Sequence, residues 1–479
     1  MLNKIFLSVL FGILSLGIIG LSDAYAANAN LYVSAENPQF DNYMSGPQVI
    51  EVVVIDSNLN DTDEAYGEPD VTVNGKELRM IQAVDGNWYG YFADRDMAQI
   101  ADSTTTITGV GLDFGSFCSN TLTIGSGSVD FSDTVGVALG ETIGNGLEIG
   151  SSSGGAITAT CGTDISGSLI NNINVVRESK AMNPGQIPIP PEHPLVLPGQ
   201  IGADVDLWPF IQLYNLNPTG NVVVQYHTGG GTQSAILTFD TVDHFADINL
   251  DRTVYPLSEQ VFVTITDLWL NIDPTDEDSW TFQANSDNPA TMYQMFDEHG
   301  DVQGDAVVGG AINIQPIADD LMCEDNCVLL FDPDQQGLGV DIVTIQDNED
   351  TQISLSGDSE SASSAHTSQI PFGTYPITIT ETRSNSGVFV TYDEADISTL
   401  RITNTASAGS SATIDYNETP NTILVGHPPP PPVSESTFFK LVGAVSHSQN
   451  LYGAYDIDVI NDFAYVPAIS SNRLSVFSR

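Results

Sequence analysis

The chain has 479 residues, of which 41% are hydrophobic, so it is long enough for about three domains with apolar cores. Its charge balance is extreme, because 62 acidic residues against 12 basic ones give a formal net charge of −50 at pH 7. Such a chain repels nucleic acid and anionic membranes, and no basic patch is present to neutralise phosphates. Copies also repel one another, so any assembly needs cations that screen or bridge them.

The N-terminus has the pattern of an export signal. Lys4 precedes a short apolar run, Ile5–Leu21, and Ala24-Tyr25-Ala26 forms a small-x-small cleavage site. The run is shorter than the ~18–20 residues of a membrane-spanning helix, and no basic residue follows it directly. The sequence therefore predicts a signal peptide over residues 1–26, an extracellular mature chain that begins near Ala27, and no membrane span in that mature chain.

Strand signals dominate from Asn30 onward. Segments rich in β-branched residues alternate with stretches of Gly, Asn, Asp and Ser, and no long amphipathic helix is evident. Clear examples are "QVIEVVVID" (Gln48–Asp56), "NVVVQYH" (Asn221–His227), "QVFVTITD" (Gln260–Asp267) and "TYPITITET" (Thr374–Thr382). This pattern predicts an all-β protein made of Ig-like β-sandwich domains in tandem.

Two proline-rich segments mark domain boundaries. One is a stiff connector over 183–200, and the other is a polyproline linker over 427–437 that begins with "HPPPPPV". We expect an N-terminal Ig-like domain over 27–182, with a Gly/Ser-rich insertion bracketed by cysteines. A small β segment or domain over 201–244 and a second Ig-like sandwich over 245–426 follow it.

The four cysteines suit an oxidising compartment. Four cysteines allow three pairings, and the two local ones are favoured here, Cys118 with Cys161 and Cys323 with Cys327. A metal site at "CEDNC" is the alternative for the second pair. Two thiols without a neighbouring His make that alternative the weaker one.

Two acidic loops repeat one pattern: a strand, an Asp, two residues, Leu-Asn and then an acidic cluster. They are "VVVIDSNLNDTDEA" (Val52–Ala65) and "VTITDLWLNIDPTDED" (Val263–Asp278). Calcium takes six to eight oxygen ligands, which such loops supply, although a solvated acidic face is the alternative in so acidic a chain. The first loop is not an EF-hand, because Asp61 replaces the required Gly and Gly67 the final Glu. The candidate calcium ligands are Asp56, Asn58, Asn60, Asp61, Asp63, Glu64, Asp267, Asn271, Asp273, Asp276, Glu277 and Asp278.

Two glycosylation sequons are present, Asn60-Asp61-Thr62 and Asn417-Glu418-Thr419, so Asn60 and Asn417 are candidate glycan carriers. A glycan on Asn60 would compete with cation binding there. Catalytic motifs are weak, since "GSSSG" (Gly150–Gly154) has no strand–turn–helix context and the seven histidines are scattered. The sequence predicts that the protein is not an enzyme.

Longer segments resemble surface-layer (S-layer) proteins of ammonia-oxidising archaea (Thaumarchaeota). The similarity is carried by Gly67–Asp94, Gly109–Cys118, "YPLSEQVFVTITDLWLNIDPTDEDSWTF", "ITETRSNSGVFVTYDE" and "SSATIDYNETPNTILVG". The resemblance implies Ig-like sandwiches, export, a crystalline cell envelope and assembly of copies by divalent cations. It also implies that Tyr255–Asp278 and Thr374–Gly426 share one sandwich, with about 279–372 inserted between them.

The C-terminal segment departs from this family. Residues 438–479, with the short strands "YDIDV", "FAYV" and "LSVF", resemble one blade of an LVIVD-type β-propeller. A propeller needs about four to eight blades, so we expect the chain to be truncated. The sequence thus predicts an exported structural S-layer subunit or S-layer-associated component. The alternative is an envelope-seated binding or adhesion module that presents a C-terminal propeller.

Overall fold

A computed structural model describes residues 30–62, 67–105, 111–124, 127–139, 142–143, 156–157, 208–284, 289–294, 312–332, 342–346, 370–371, 377–426, 458–460, 463–468 and 473–478. These residues form mixed and antiparallel β-sheets, which confirms the predicted all-β class. Within this part of the chain, helix is limited to α1 (Arg95–Asp102) and short 3₁₀ turns. The chain divides into two compact units, Met1–His427 and Pro428–Arg479.

Sixteen described strands lie before residue 240, and twelve of them form two main sheets. One sheet has the order β1-β3-β7-β14-β11-β8, with β6 beside β7, and the other has the order β2-β16-β15-β4-β5. Two separate antiparallel pairs are β9 with β10 and β12 with β13. The strands are β1 (Leu31–Val33), β2 (Tyr43–Met44), β3 (Ile50–Val54), β4 (Asp70–Val73), β5 (Lys76–Glu77), β6 (Ile81–Gln82), β7 (Trp88–Asp94), β8 (Ser116–Cys118), β9 (Thr121–Ile124), β10 (Gly127–Asp130), β11 (Val137–Leu139), β12 (Thr142–Ile143), β13 (Ala156–Ile157), β14 (Phe210–Tyr214), β15 (Gly220–Thr228) and β16 (Gly231–Phe239).

The two main sheets enclose one apolar core and are called the first sandwich below. Strand β3 places Ile50, Val52 and Val54 in this core, while the residues between them are partly exposed. Strand β15 contributes Val222 and Val224 from the opposite sheet. The period of two in the sequence therefore sets which side chains face inward.

The segment 201–244 is not a small domain of its own, which corrects the sequence prediction. Its strand β14 pairs in parallel with β7, and its strand β15 pairs with β4, so that Val224 lies opposite Val73. Strands β7 and β14 are buried along their whole length, so each needs a hydrogen-bonding neighbour on both sides. Those neighbours come from distant parts of the chain, which a local pattern does not reveal.

Fifteen described strands between residues 247 and 425 form three sheets that make up the second sandwich. Their orders are β17-β20-β28-β27-β21-β22-β23, β18-β31-β30-β24 and β19-β29-β25-β26. The strands are β17 (Asp247–Leu250), β18 (Val254–Tyr255), β19 (Gln260–Val261), β20 (Val263–Thr266), β21 (Ser279–Gln283), β22 (Ala290–Gln294), β23 (Ile312–Asn313), β24 (Leu329–Asp332), β25 (Val343–Ile345), β26 (Ile370–Pro371), β27 (Ile377–Glu381), β28 (Val388–Val390), β29 (Leu400–Ile402), β30 (Ser411–Tyr416) and β31 (Thr419–Val425).

The predicted insertion over about 279–372 is integral to these sheets, which is a second correction. Strand β21 lies beside β27, β24 beside β30 and β25 beside β29. Trp280, Thr281 and Phe282 of β21 are all fully buried, so this strand is central rather than peripheral. Strands on either side of the predicted insertion do pair, since β20 lies beside β28.

The unit Pro428–Arg479 contains a three-stranded antiparallel sheet of β32 (Asp458–Ile460), β33 (Phe463–Ala468) and β34 (Arg473–Ser478). The three strands predicted there are thus confirmed, while their identity as a propeller blade stays a prediction. The predicted signal peptide and the two proline-rich segments lie outside the described residues. Among the described residues, no helix has the length and apolar character needed to cross a membrane.

Candidate functional site

The first acidic loop starts where β3 ends, and its first carboxylate is occupied. Asp56 is 8% exposed; its Oδ1 accepts from the backbone N–H of Asn58 at 2.9 Å and from the Asn58 side chain at 2.8 Å. Its Oδ2 accepts from the Tyr226 hydroxyl at 2.8 Å. The backbone N–H of Asn58, a donor to the charged form, lowers the pKa of Asp56.

The remainder of this loop faces outward. The Leu59 carbonyl accepts from the Trp88 indole at 2.9 Å, while Asn58, Asn60 and Asp61 are exposed. The predicted ligands Asp63 and Glu64 lie outside the described residues. The structure therefore turns Asp56 inward and leaves the next polar side chains on the surface.

The second acidic loop starts at Asp267, which has no exposed surface. Its Oδ1 accepts from the Trp269 N–H at 2.8 Å, and its Oδ2 accepts from Asn326 at 2.8 Å and from the Tyr416 hydroxyl at 2.5 Å. Burial raises the pKa of Asp267 to about 6, although these three donors act in the opposite direction. Asn326 belongs to the "CEDNC" turn, so that turn is tied to the loop.

The two loops contain the same arrangement, which we call the Asp–Tyr–Trp clamp. In each, the first Asp accepts from the N–H two residues later and from a tyrosine hydroxyl, while a tryptophan indole donates to the carbonyl of the Leu three residues after the Asp. The repeat noticed in the sequence is therefore a repeat of structure. The members are Asp56, Leu59, Trp88 and Tyr226 in the first clamp, and Asp267, Leu270, Trp280 and Tyr416 in the second.

Asp278 closes the second loop from inside. This carboxylate has no exposed surface and accepts from the N–H groups of Ile272 at 2.6 Å and Asp273 at 3.1 Å, and from the Tyr293 hydroxyl at 2.7 Å. Burial, followed by the neighbouring charges of Glu381 and Asp273, raises the pKa of Asp278 well above its usual value. Asp278 thus acts as an internal cap for backbone donors.

Glu381, at the end of β27, is a partner that the sequence analysis missed. It is 4% exposed and accepts from the N–H groups of Ser386 at 2.5 Å and Gly387 at 2.6 Å, and it faces the N–H of Asp278 at 3.4 Å. Burial raises the pKa of Glu381 to about 7. The only sequence signal was a lone acid before the turn "TRSNSG", more than 100 residues from the loop.

The other predicted ligands of the second loop bind within the protein as well. Asp273 accepts from the N–H and hydroxyl of Thr275 at 2.9 and 2.6 Å, and Glu277 accepts from the Ser384 N–H at 3.1 Å. Asp276 accepts from the Glu277 N–H at 2.9 Å. Burial, followed by the contact with the Glu277 side chain, raises the pKa of Asp276 to about 8, although the Glu277 N–H acts in the opposite direction.

The second loop does not fit calcium in this arrangement. Among the described residues, no group of three or more His, Cys, Asp or Glu side chains is placed to hold a metal ion. The donor set gives the reason, because oxygens of Asp267 and Asp278 already accept from N–H and O–H groups that a cation would have to displace. Calcium binding at the exposed part of the first loop stays a prediction.

The disulfide prediction is confirmed for one pair. Cys323 and Cys327 are bonded to each other, which removes the alternative of a metal site at "CEDNC". Cys118 is also disulfide-bonded, and its predicted partner Cys161 lies outside the described residues. The local pairing favoured from the sequence therefore fixes the turn that carries Asn326.

The two sequons differ in accessibility. Asn60 is exposed, so its side-chain amide is open to modification. Asn417 sits at φ 54° in the turn between β30 and β31, and its Nδ2 donates to the carbonyls of Asp243 at 3.2 Å and Ala246 at 2.9 Å. The nitrogen that would carry a glycan on Asn417 is thus engaged in holding the turn.

The chain matches no known protein-family model and no curated protein. Its function has to be argued from its own residues. The chemistry of the two loops is that of carboxylates that accept hydrogen bonds from buried donors and fix strand ends, which is a structural chemistry.

Proposed function

We propose that this chain is an exported structural protein of a cell surface, either an S-layer subunit or a component associated with an S-layer. Three observations support the proposal: the export-signal pattern at residues 1–26, the segments that resemble S-layer proteins, and the tandem β-sandwiches. On this proposal the sandwiches are Ig-like and the mature chain is extracellular.

The observation that carries the proposal is a second apolar cluster, separate from the core between the two main sheets of the first sandwich, that continues from the first sandwich into the second. One cluster of buried residues includes Phe40 and Tyr91 from the first sandwich and Trp269 and Phe282 from the second. Continuous, close-packed interiors resist deformation, as a load-bearing unit requires. The buried carboxylates described above support this unit rather than a reaction.

Acidic side chains on the outside supply the contacts through which cations would join copies. Asp319, Asp320, Glu324 and Asp325 are all exposed within seven residues of chain, and Asp61 of the first loop is exposed as well. With a net charge of −50, copies repel until such groups are screened or bridged. Divalent cations, with calcium as the candidate, bridge carboxylates of two copies where monovalent ions only screen them.

Electron microscopy tests this proposal directly. The chain from Ala27 onward is imaged in millimolar calcium, in chelator, and in monovalent salt of matched ionic strength. We expect ordered sheets or tubes only in calcium, and their loss on chelation, because bridging rather than screening drives assembly. Monodisperse particles under all three conditions would contradict the lattice.

A variant locates the bridging surface. Neutralising the exposed cluster by Asp319→Asn, Asp320→Asn, Glu324→Gln and Asp325→Asn leaves the buried carboxylates in place. We expect assembly to need more calcium or to fail if this surface bridges copies. The matched control is Glu394→Gln with Asp396→Asn, a pair of exposed acids in another loop of the same sandwich.

A second candidate is an envelope-seated binding or adhesion module. The observation that favours it is the separate unit Pro428–Arg479, with its three-stranded sheet. On this hypothesis the sandwiches seat the chain and the C-terminal unit meets a partner. Particles that stay single in calcium yet bind isolated cell envelopes would favour it over the lattice.

A further inference from the structure

The second acidic loop is held on the first sandwich by one buried glutamine. The Nε2 of Gln48, just before β3, donates to the carbonyls of Leu268 at 2.5 Å and Asn271 at 2.6 Å, while its Oε1 accepts from the Ser45 N–H at 2.8 Å. A backbone bond lies beside it, because the Val49 N–H donates to the Ile272 carbonyl at 3.1 Å. The loop is thus fixed to the start of β3.

A second set of contacts comes from the turn between β27 and β28. The Asn385 Nδ2 donates to the Ser34 carbonyl of the first sandwich at 2.8 Å, and its Oδ1 accepts from the Asn271 Nδ2 at 2.8 Å. Asn385 therefore connects three elements: its own turn, the acidic loop and the segment after β1.

Two glycines allow the two sandwiches to pack closely against each other. A Cβ on Gly46, at φ 57°, would lie 2.5 Å from the Trp269 indole nitrogen and 2.7 Å from the Leu321 carbonyl. A Cβ on Gly387, at φ 63°, would lie 2.8 Å from the Phe40 ring. One glycine belongs to each sandwich, and neither site leaves room for a side chain.

The buried carboxylates position the residues that make these contacts. Asp278 accepts from the N–H of Ile272, whose carbonyl receives the Val49 N–H, and Glu381 accepts from the N–H of Gly387. Each carboxylate therefore holds, through one hydrogen bond, a residue that itself contacts the first sandwich.

We propose that loop 267–278 is the fixed contact of a joint between the two sandwiches, and that protein donors rather than calcium set its geometry. The sandwiches then keep one orientation when divalent cations are removed. This inference goes beyond the proposed surface function, which concerns contacts between copies. The two proposals can fail independently. A chain that forms no lattice can still keep its two sandwiches in one orientation, and a lattice can form from chains whose joint needs calcium.

Hydrogen exchange followed by mass spectrometry tests the joint on the chain from Ala27 onward. The informative peptides cover residues 45–50, 268–273 and 384–388, which contain the donating amides of Val49, Ile272 and Gly387. We expect slow exchange at all three, with rates equal to within about twofold in calcium and in chelator. A rise of roughly tenfold or more on chelation, at all three together, would overturn the proposal.

A variant checks that the contacts are coupled. Gln48→Ala removes two buried hydrogen bonds to loop 267–278 without touching a carboxylate, so exchange at Val49 and Ile272 should rise roughly tenfold or more. Glu394→Gln, an exposed acid elsewhere in the second sandwich, is the control and should leave both rates unchanged. Unchanged rates in Gln48→Ala, or rates restored by calcium, would overturn the proposal. The comparison of calcium with chelator needs no variant.

Discussion

The two acidic loops have the same clamp and opposite electrostatics. Asp56 is 8% exposed and lies beside exposed Asn58, and the N–H of Asn58 lowers its pKa. Asp267 makes the same kinds of hydrogen bond but is fully enclosed, and its pKa is raised to about 6. Desolvation outweighs hydrogen bonding in the second loop and not in the first, so depth of burial decides the sign.

The difference follows from where each loop faces. The second loop is covered by the first sandwich through Gln48, and its further acid Asp278 is turned inward. The first loop leaves Asn60 and Asp61 in solvent. The shared sequence pattern therefore marks a device that fixes a strand end, while the surroundings determine whether the remaining acids are available to cations.

Removal of the first carboxylate of each loop should give the largest difference in stability between the two loops. Asp267→Ala leaves the Tyr416 hydroxyl, the Asn326 amide and the Trp269 N–H without their acceptor in a fully buried place. We expect a loss of about 3–5 kcal/mol in the free energy of unfolding. Asp56→Ala, near the surface, should cost about 1–2 kcal/mol. Denaturant unfolding of both variants gives the comparison.

The control for this pair is Asp267→Asn, which retains one acceptor oxygen and nearly the same volume. It should cost clearly less than Asp267→Ala. Equal losses for Asp56→Ala and Asp267→Ala would show that burial does not distinguish the two clamps.

The pH dependence of stability should be set by the second loop. The folded-state pKa values of Asp267, about 6, and Glu381, about 7, lie above those of the unfolded chain. The contribution of Asp267 to stability is therefore complete below about pH 4 and is lost, by about 3 kcal/mol, as pH rises through 6, and the contribution of Glu381 is lost in the same direction as pH rises through 7. Asp56, with a lowered pKa, contributes in the opposite direction, above about pH 4. Thermal unfolding at pH values between about 4 and 8 measures the combined effect of these groups on stability.

Glu381→Gln isolates one of these groups. The Gln oxygen can still accept from the N–H groups of Ser386 and Gly387, while its amide replaces Oε2, the oxygen that faces the Asp278 N–H at 3.4 Å, and removes the negative charge. We expect this variant to lose less stability than the parent chain as pH rises, and to be at least as stable at about pH 8. A steeper decline in the variant would refute the assignment.

The sequence was sufficient for the strands, the acidic loops and the Cys323–Cys327 turn, because these depend on local periodicity and spacing. It was insufficient for the partners of the loops. Gln48 and Leu268 are 220 residues apart, and neither period nor composition reveals that they meet. The same limit explains why 201–244 was predicted as a separate small β segment or domain.

The candidate calcium ligands of the second loop show a different limit of what the sequence reveals. A carboxylate oxygen accepts a hydrogen bond from an N–H group as readily as it binds a cation, so residue types alone do not separate the two roles. Asp278 and Glu381 became caps because backbone N–H groups converge on them in the fold. An acid at the end of a strand, followed by a turn that contains Gly, as in Glu381 and Gly387, is the one sequence signal from which capping could have been predicted.

The smallest test uses the asparagine that follows Leu in each loop. Asn271 is buried, and its Nδ2 donates to Asn385, whereas Asn60 is exposed. Asn271→Ala should lower the free energy of unfolding by about 1–2 kcal/mol because the Asn385 oxygen loses its donor. Asn60→Ala should change it by no more than about 0.5 kcal/mol. Similar losses in both variants would mean that the first loop also docks on protein.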